Sequence, residues 1–394
     1  MKTPKRATIL TDLEIEKLVP GGQGLATHPD GRKVFIWNAL PGEVVDAEVI
    51  KKKSHYLEAV ATNIKQTSPH RVAAKDSCFL STSPWQVFDY AYELEQKRKL
   101  VAECFRQNKL NLEVLPTATD GQDYFYRNKM EYSLYWNNEA KRIELGFHER
   151  GKHSKIPAPT SSIELPAIRR RADEIVAELN AQQAQARDYQ SLLLRANQQG
   201  KVSGDLFVNG QPHPQMANLE DELLGYKYSY SPNGFFQINL PVYELALKAI
   251  AQNIHQDKVL DLYAGVGSIG LSVARNKDLT MVEVNADAQQ EMQNNASDAP
   301  NAKCILDKSE NVTNYLQPNC TIILDPPRAG CEASLLEAIN KVKPAEVIYL
   351  SCNPITQARD LAILQEQYDI APLQPFNFFP HTPHIENLAI LTRK

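Results

Sequence analysis

Residues 8–64 alternate apolar and polar residues in short runs. Val34-Phe35-Ile36 and the stretches 44–50 and 58–64 carry the periods of strands, and Gly21-Gly22, Pro29-Asp30-Gly31 and Pro41-Gly42 punctuate them as turns. About five short strands in so few residues predict a small β-barrel over 1–66. Between 87 and 110 the period lengthens to that of an amphipathic helix. Leu94, Leu100, Val101 and Phe105 fall on its apolar side, and Lys97-Arg98-Lys99 are assigned to its outside. Strand-like runs return at 130–135, 143–147, 192–195 and 205–208, interrupted by one helix near 167–180. Residues 67–225 therefore read as a central α+β domain.

Residues 226–394 alternate most regularly. Strand candidates at 259–262, 279–284, 304–306, 321–325 and 347–350 are separated by helix candidates near 268–276, 286–297, 332–342 and 355–367. This pattern predicts an α/β fold, a doubly wound parallel sheet buried on both faces. Stretches 368–373 and 385–392 can pair as a closing hairpin.

A chain of 394 residues with 43% apolar and 23% charged residues is an ordinary globular protein of two or three domains. No apolar run approaches the roughly 18 residues of a membrane helix, and the N-terminus does not read as a signal peptide. The expectation is a cytoplasmic protein with no membrane contact and no obligate protein partner. The cysteines, at 78, 104, 304, 320, 331 and 352, form no C-x-x-C pair, so no metal site is expected. A net charge of −4 argues against a protein that coats nucleic acid over its whole surface. Residues 1–75 nevertheless hold 12 Lys and Arg against 8 Asp and Glu, which fits a polyanion-gripping appendage and equally a solvated basic face. Lys51-Lys52-Lys53 and Lys65 flank its strand ends, where phosphates would sit.

The chemistry concentrates at the predicted strand ends of the last domain. Asp261-Leu262-Tyr263-Ala264-Gly265-Val266-Gly267 lies where the first strand meets its helix, and glycine there lets backbone approach a ligand. The spacing reads as G-x-G followed by Ile269-Gly270, short of the full dinucleotide fingerprint. Glu283 ends the second strand, where an acid can bind both ribose hydroxyls of an adenosine. These two features leave a dinucleotide and S-adenosylmethionine (SAM) both open. Asp325-Pro326-Pro327-Arg328 after the fourth strand is a rigid loop suited to holding a planar base beside a cofactor, which favours a base methyltransferase. Cys352, after the fifth strand and before Asn353-Pro354, lies beside a helix N-terminus whose dipole is expected to lower its pKa. His381, His384 and Glu386 follow no zinc spacing. Glu386 heads the closing strand and can meet the other strand ends as a general base.

Phe235-Phe236-Gln237-Ile238-Asn239, 261–267, 325–328, 351–354 and His384-Ile385-Glu386 stand in the order and spacing of the RNA uracil-5 methyltransferases, which the chain resembles over nearly its whole length. The barrel resembles the TRAM domain, with Gly-Gly-x-Gly at 21–24 and Leu-Pro-Gly-Glu at 40–43. The resemblance implies a Rossmann-like SAM methyltransferase domain preceded by an OB-like barrel and the α+β domain. It assigns SAM contacts to Gln237, Tyr263, Gly265, Ser268, Glu283 and Asp325, with Asp307 near the adenine. Cys352 takes the place of the nucleophile and Glu386 that of the base. RNA is the implied partner, gripped by the barrel and by His148-Glu149-Arg150-Gly151-Lys152-His153. Ribosomal RNA is preferred, since the TRAM appendage goes mostly with the ribosomal enzymes, and transfer RNA is the alternative. Many relatives hold an iron–sulfur cluster on four cysteines. Here only Cys78 stands in the corresponding stretch, which implies a cluster-free member. Two other classes compete: a dinucleotide oxidoreductase, which leaves Cys352 and Asp325 unexplained, and an idle RNA-binding module, which leaves the glycine turn and Glu386 unexplained.

Overall fold

The structure, a computed structural model, describes residues 7–152, 154–208, 210–213 and 216–394; His153 and residues 1–6 lie outside them. The N-terminal strands Ile9–Glu14, Lys17–Leu18, Gly24–Thr27, Lys33–Trp37, Val44–Lys52 and Tyr56–Gln66 form one sheet in the spatial order 1-5-6-4-3-2. It curls around Leu13, Ile15, Val34, Ile36, Val45 and Leu57. The sequence pattern places only the last three of these strands; it does not locate Ile9–Glu14, Lys17–Leu18 and Gly24–Thr27, and two residues such as Lys17–Leu18 carry no period at all. The expected phosphate grip is partly committed elsewhere. Lys65 is held between Asp12 and Asp46, and Lys51 pairs with Glu58.

The linking helix runs Tyr90–Gln107, capped by the Asp89 side chain on the Tyr92 N–H. Lys97 is a correction: it is wholly buried, not on the outer face. Its ammonium sits 2.9 Å from the buried Glu93 carboxylate and 2.5 Å from Asn377 Oδ1, since this face of the helix packs against the last domain while Lys99 and Arg106 face solvent. A second sheet, built around Ser191–Ala196, Lys129–Asn137 and Arg142–His148, buries Tyr132, Leu192 and Leu194 against Ile168 and Ala172 of the helix Pro166–Ala181. At its edge Arg150 lies over the Trp37 ring and bonds to the Leu80 carbonyl, while Lys152 pairs with Glu149. That segment ties the domains together and is not a free basic grip.

The hairpin Leu219–Leu223/Tyr226–Tyr230 spans the expected division at 225 and buries Leu219, Leu223, Tyr228 and Tyr230 in the core of the last domain. A helix absent from the sequence reading, Leu240–Ala251, follows. Its Pro241 near the start and buried Val242, Tyr243, Ala246, Leu247 and Ile250 were the available signals. Five parallel strands come next in the order Ala302–Leu306, Asp278–Glu283, Lys258–Leu262, Cys320–Leu324 and Glu346–Ser351. Glu386–Arg393 adds antiparallel to the last of them, and Tyr368–Ile370 and Gln374–Phe376 pair with it. The four strands inside the edge strand Ala302–Leu306 are buried on both faces, as a parallel sheet covered by helices requires. Every candidate residue for chemistry stands at the carboxyl edge of this sheet or in the loops beside it.

Candidate active site

Tyr263 and Gly265 follow the central strand. Gly265 has φ +56°, and nothing lies within 4 Å of where a Cβ would stand, so the turn opens onto free space. Gly267 also has positive φ, and a Cβ there would press on Leu271 and Met292. Gly270 completes the G-x-G-x-x-G spacing, a correction to the shorter motif read from the sequence. A Cβ at Gly270 would come 2.8 Å from Asp261 Oδ2, the atom that accepts the Gly270 N–H, so this glycine lets helix and strand close up. Asp261 is fully buried, its Oδ1 has no partner, and burial lifts its pKa to about 7.

Glu283 ends the neighbouring strand. Its Oε2 accepts the Gly265 N–H at 2.9 Å and its Oε1 the Asn285 N–H at 2.7 Å, which locks the carboxylate at the mouth of the turn. The next residue, Val284, is 59% exposed, and Leu306, at the end of the third strand, is 53% exposed. Two apolar side chains left in solvent beside an open glycine turn and a fixed acid fit an adenosine. Asp307 is held as a carboxylate by Asn311 and the Lys308 N–H. Ser268 Oγ lies 2.8 Å from the Tyr243 hydroxyl. Gln237 is buried, its carbonyl accepting from Asn128 Nδ2 and Arg195 Nη2.

The other half of the edge is assembled by strand pairing. Ser351 and Asn387 are register partners in the antiparallel pair, so Cys352 and Glu386, one residue beyond on each strand, face each other across it. Leu324 pairs with Tyr349, which brings Asp325 to the same edge. Asn353 caps the following helix, and its Nδ2 bonds to the Arg328 carbonyl at 2.8 Å, tying the Asp-Pro-Pro-Arg loop to the thiol's neighbour. Cys352 opens on a cavity of about 260 Å³ shared with Arg328, His384, Leu100 and Gly21 of the N-terminal barrel. The barrel is seated there: a Cβ on Gly22 would overlap Pro383, and Trp85 Nε1 bonds to the Gly22 carbonyl at 3.0 Å.

The expected dipole effect on Cys352 does not prevail. Burial pushes the thiol up to about 11, the carboxylates of Glu386 and Asp325 push the same way, and Arg328 only partly opposes them. Burial also holds Glu386 well above the carboxylate range and lifts Asp325 to about 7. Burial thus disfavours the charged form of all three groups. Loss of protons from this group is mutually costly, and an electrophile that draws charge away from sulfur relieves that cost.

His381 and His384 do not converge. His381 is buried against Tyr124 and faces Glu93 and Asp123, whereas His384 is exposed beside Arg328. Among the described residues no three His, Cys, Asp or Glu form a metal-holding group. An iron–sulfur cluster does not fit around Cys78. Its Sγ donates to the Thr160 carbonyl at 3.6 Å, burial raises the thiol to about 11, and Asp76 beside it is engaged by Gln86, Thr160 and Ser162. Among the described residues no helix is long and apolar enough to cross a membrane.

Residues 308–394 match the tRNA (Uracil-5-)-methyltransferase family, and residues 11–62 match the TRAM domain. The chain is 29% identical to an uncharacterized RNA methyltransferase of Lactobacillus johnsonii, covering 98% of each chain, and 26% identical to one of Gloeobacter violaceus, covering 96% of this chain and 95% of the other. Its fold is similar to that of the Pyrococcus abyssi tRNA (uracil-54, C5)-methyltransferase, solved with S-adenosyl-L-homocysteine, at a TM-score of 0.79 and 22% identity over 98% of this chain and all of that one.

Proposed function

We propose, for a chain that belongs to the RNA (uracil-5-)-methyltransferase family and carries an N-terminal TRAM domain, that Cys352 and Glu386 act on opposite sides of one uracil to form 5-methyluridine. The observation that carries this reading is their meeting across the strand pair beside the open glycine turn.

Uracil C5 is a weak nucleophile, and addition of sulfur to C6 turns the ring into an enolate whose C5 attacks an electrophile. Cys352 supplies that sulfur. Its proton passes to water in the open cavity as the C–S bond forms and the C5–C6 π electrons move onto the ring as an enolate, so the negative charge leaves the neighbourhood of Glu386 and Asp325. Gln237, Tyr263, Gly265, Ser268 and Glu283 would hold SAM, which would supply the electrophilic methyl group, its sulfur keeping the electron pair of the broken S–C bond and leaving as the neutral thioether. Glu386, once its own proton has been released to water, takes the C5 proton as carboxylate; the C5–H electron pair re-forms the C5–C6 double bond, and Cys352 departs as thiolate, to be reprotonated from water. Asp325 orients the uracil or the amino group of SAM. A base stacked in RNA hides C6, so the uridine must be extruded into the cavity. The enzyme works without an iron–sulfur cluster, and purified protein should be colourless and free of stoichiometric iron.

Ribosomal RNA is the proposed target, resting on the TRAM appendage. Transfer RNA is the second reading, and one observation favours it: an enzyme named for uracil 54 of tRNA shares this architecture along its full length. Mapping 5-methyluridine in cells lacking the protein separates them. Loss of a site in 23S ribosomal RNA supports the first, loss in the tRNA T-loop the second, and unchanged 5-methyluridine in both overturns the function.

A further inference from the structure

A cleft of about 200 Å³ lies between the central sheet and the catalytic domain, away from Cys352. Its most unusual wall is Phe125. Tyr124 and Tyr126 on either side are buried, yet Phe125 is 48% exposed on a left-handed backbone of φ +54°. That conformation is unfavourable for a bulky residue and persists because the backbone is fixed, the Phe125 N–H by the Ser162 carbonyl and the Phe125 carbonyl by Gln122 Nε2. An aromatic ring is thereby held in solvent at local cost.

The remaining walls are rich in amides. Asn239 is fully buried, its Nδ2 bonds to the Phe378 carbonyl, and its Oδ1 has no partner. Gln122 gives its amide N–H groups to the Tyr124 and Phe125 carbonyls, which leaves its Oε1 as an acceptor. Gln198 is the complement: its Oε1 accepts the Glu222 N–H, which leaves its amide N–H groups as donors. Asn128, in the same wall, bonds to the carbonyl of Gln237, so the cleft backs onto the proposed cofactor side.

An exposed ring beside an orphaned buried acceptor and amides of both senses suits a planar heterocycle with donors and acceptors on its edge. We propose that this cleft is a second base site, which takes an unpaired nucleobase of the RNA substrate, stacked on Phe125 and read along its edge by Gln122, Gln198 and Asn239. The inference rests on the RNA reading above, and it makes the enzyme select a loop in which two bases are unstacked together.

The test uses RNA stem-loops carrying the mapped uridine and a single abasic substitution at each other loop position, with the full chain, F125A and F125W. In the unmutated enzyme one position should raise KM about tenfold or more when its base is removed, the scale of one base–aromatic stack. F125A should raise KM by a similar factor on the intact loop and be indifferent to that one abasic site, while F125W behaves like the unmutated enzyme. SAM binding by calorimetry should be equal in all three, which reports that they are folded. If F125A leaves KM unchanged, or pays the same abasic penalty at every position, the second site is wrong although uridine methylation stands. If the unmutated enzyme methylates none of the intact loops, the functional reading fails and takes the inference with it.

Discussion

The two halves of the proposed catalytic edge differ in what they are made of. On the cofactor side the backbone does the shaping, through Gly265 with free space beyond it, Gly270 closed against Asp261, and a Glu283 carboxylate fixed by two N–H groups. On the reaction side the backbone is ordinary and the side chains carry the cost, with Cys352, Glu386 and Asp325 all pushed toward their neutral forms by burial. The first half is built to hold a ligand in its resting state. The second is built to be uncomfortable until a substrate removes its charge.

The contrast breaks most sharply if one half fails without the other. Cys352→Ala should bind SAM as tightly as the parent by calorimetry and give no detectable methyl transfer; measurable turnover would remove the sulfur from the chemistry. Glu283→Ala should do the converse. Losing a charged hydrogen-bonding partner predicts roughly ten- to hundredfold weaker SAM binding, while turnover at saturating SAM falls far less; unchanged affinity would take Glu283 out of the cofactor site.

The smallest effect concerns stability. Asp261 has its pKa raised from 3.8 to about 7 in the fold, so the folded state keeps a proton that the unfolded chain releases across that window. The stability of the protonated form is complete below about pH 4 and is lost as pH rises toward 7. Asp261→Asn keeps an acceptor for the Gly270 N–H and cannot ionise. Urea melts should show it stabilised by roughly 1–3 kcal/mol at pH 8 and little changed near pH 4; an equal difference at both pH values would contradict the burial argument.

The same contrast governs what the sequence reveals. The cofactor half is contiguous, so Gly265, Gly267 and Glu283 announce themselves at strand ends with local spacing. Cys352 and Glu386 come from distant parts of the chain and meet only through the antiparallel register of the last strands, which no local period encodes. Burial was likewise invisible. Lys97 reads as a solvated lysine until the linking helix is found packed between domains, and a helix dipole on Cys352 reads as favourable until Glu386 and Asp325 are seen beside it. Phe125 gave no signal, and Asn239 stood at the end of the 235–239 motif with no role attached, because an exposed ring and an unpaired amide are properties of position.

The pairing of sulfur and carboxylate on one pyrimidine is tested most directly by Glu386→Gln. Incubated with SAM and target RNA, it should stall before the C5 proton leaves, with turnover reduced about 10²- to 10⁴-fold. Mass spectrometry should then find a peptide containing Cys352 joined to a uridine that already carries the methyl group. A variant that cycles freely, or an adduct on any other residue, would contradict the account.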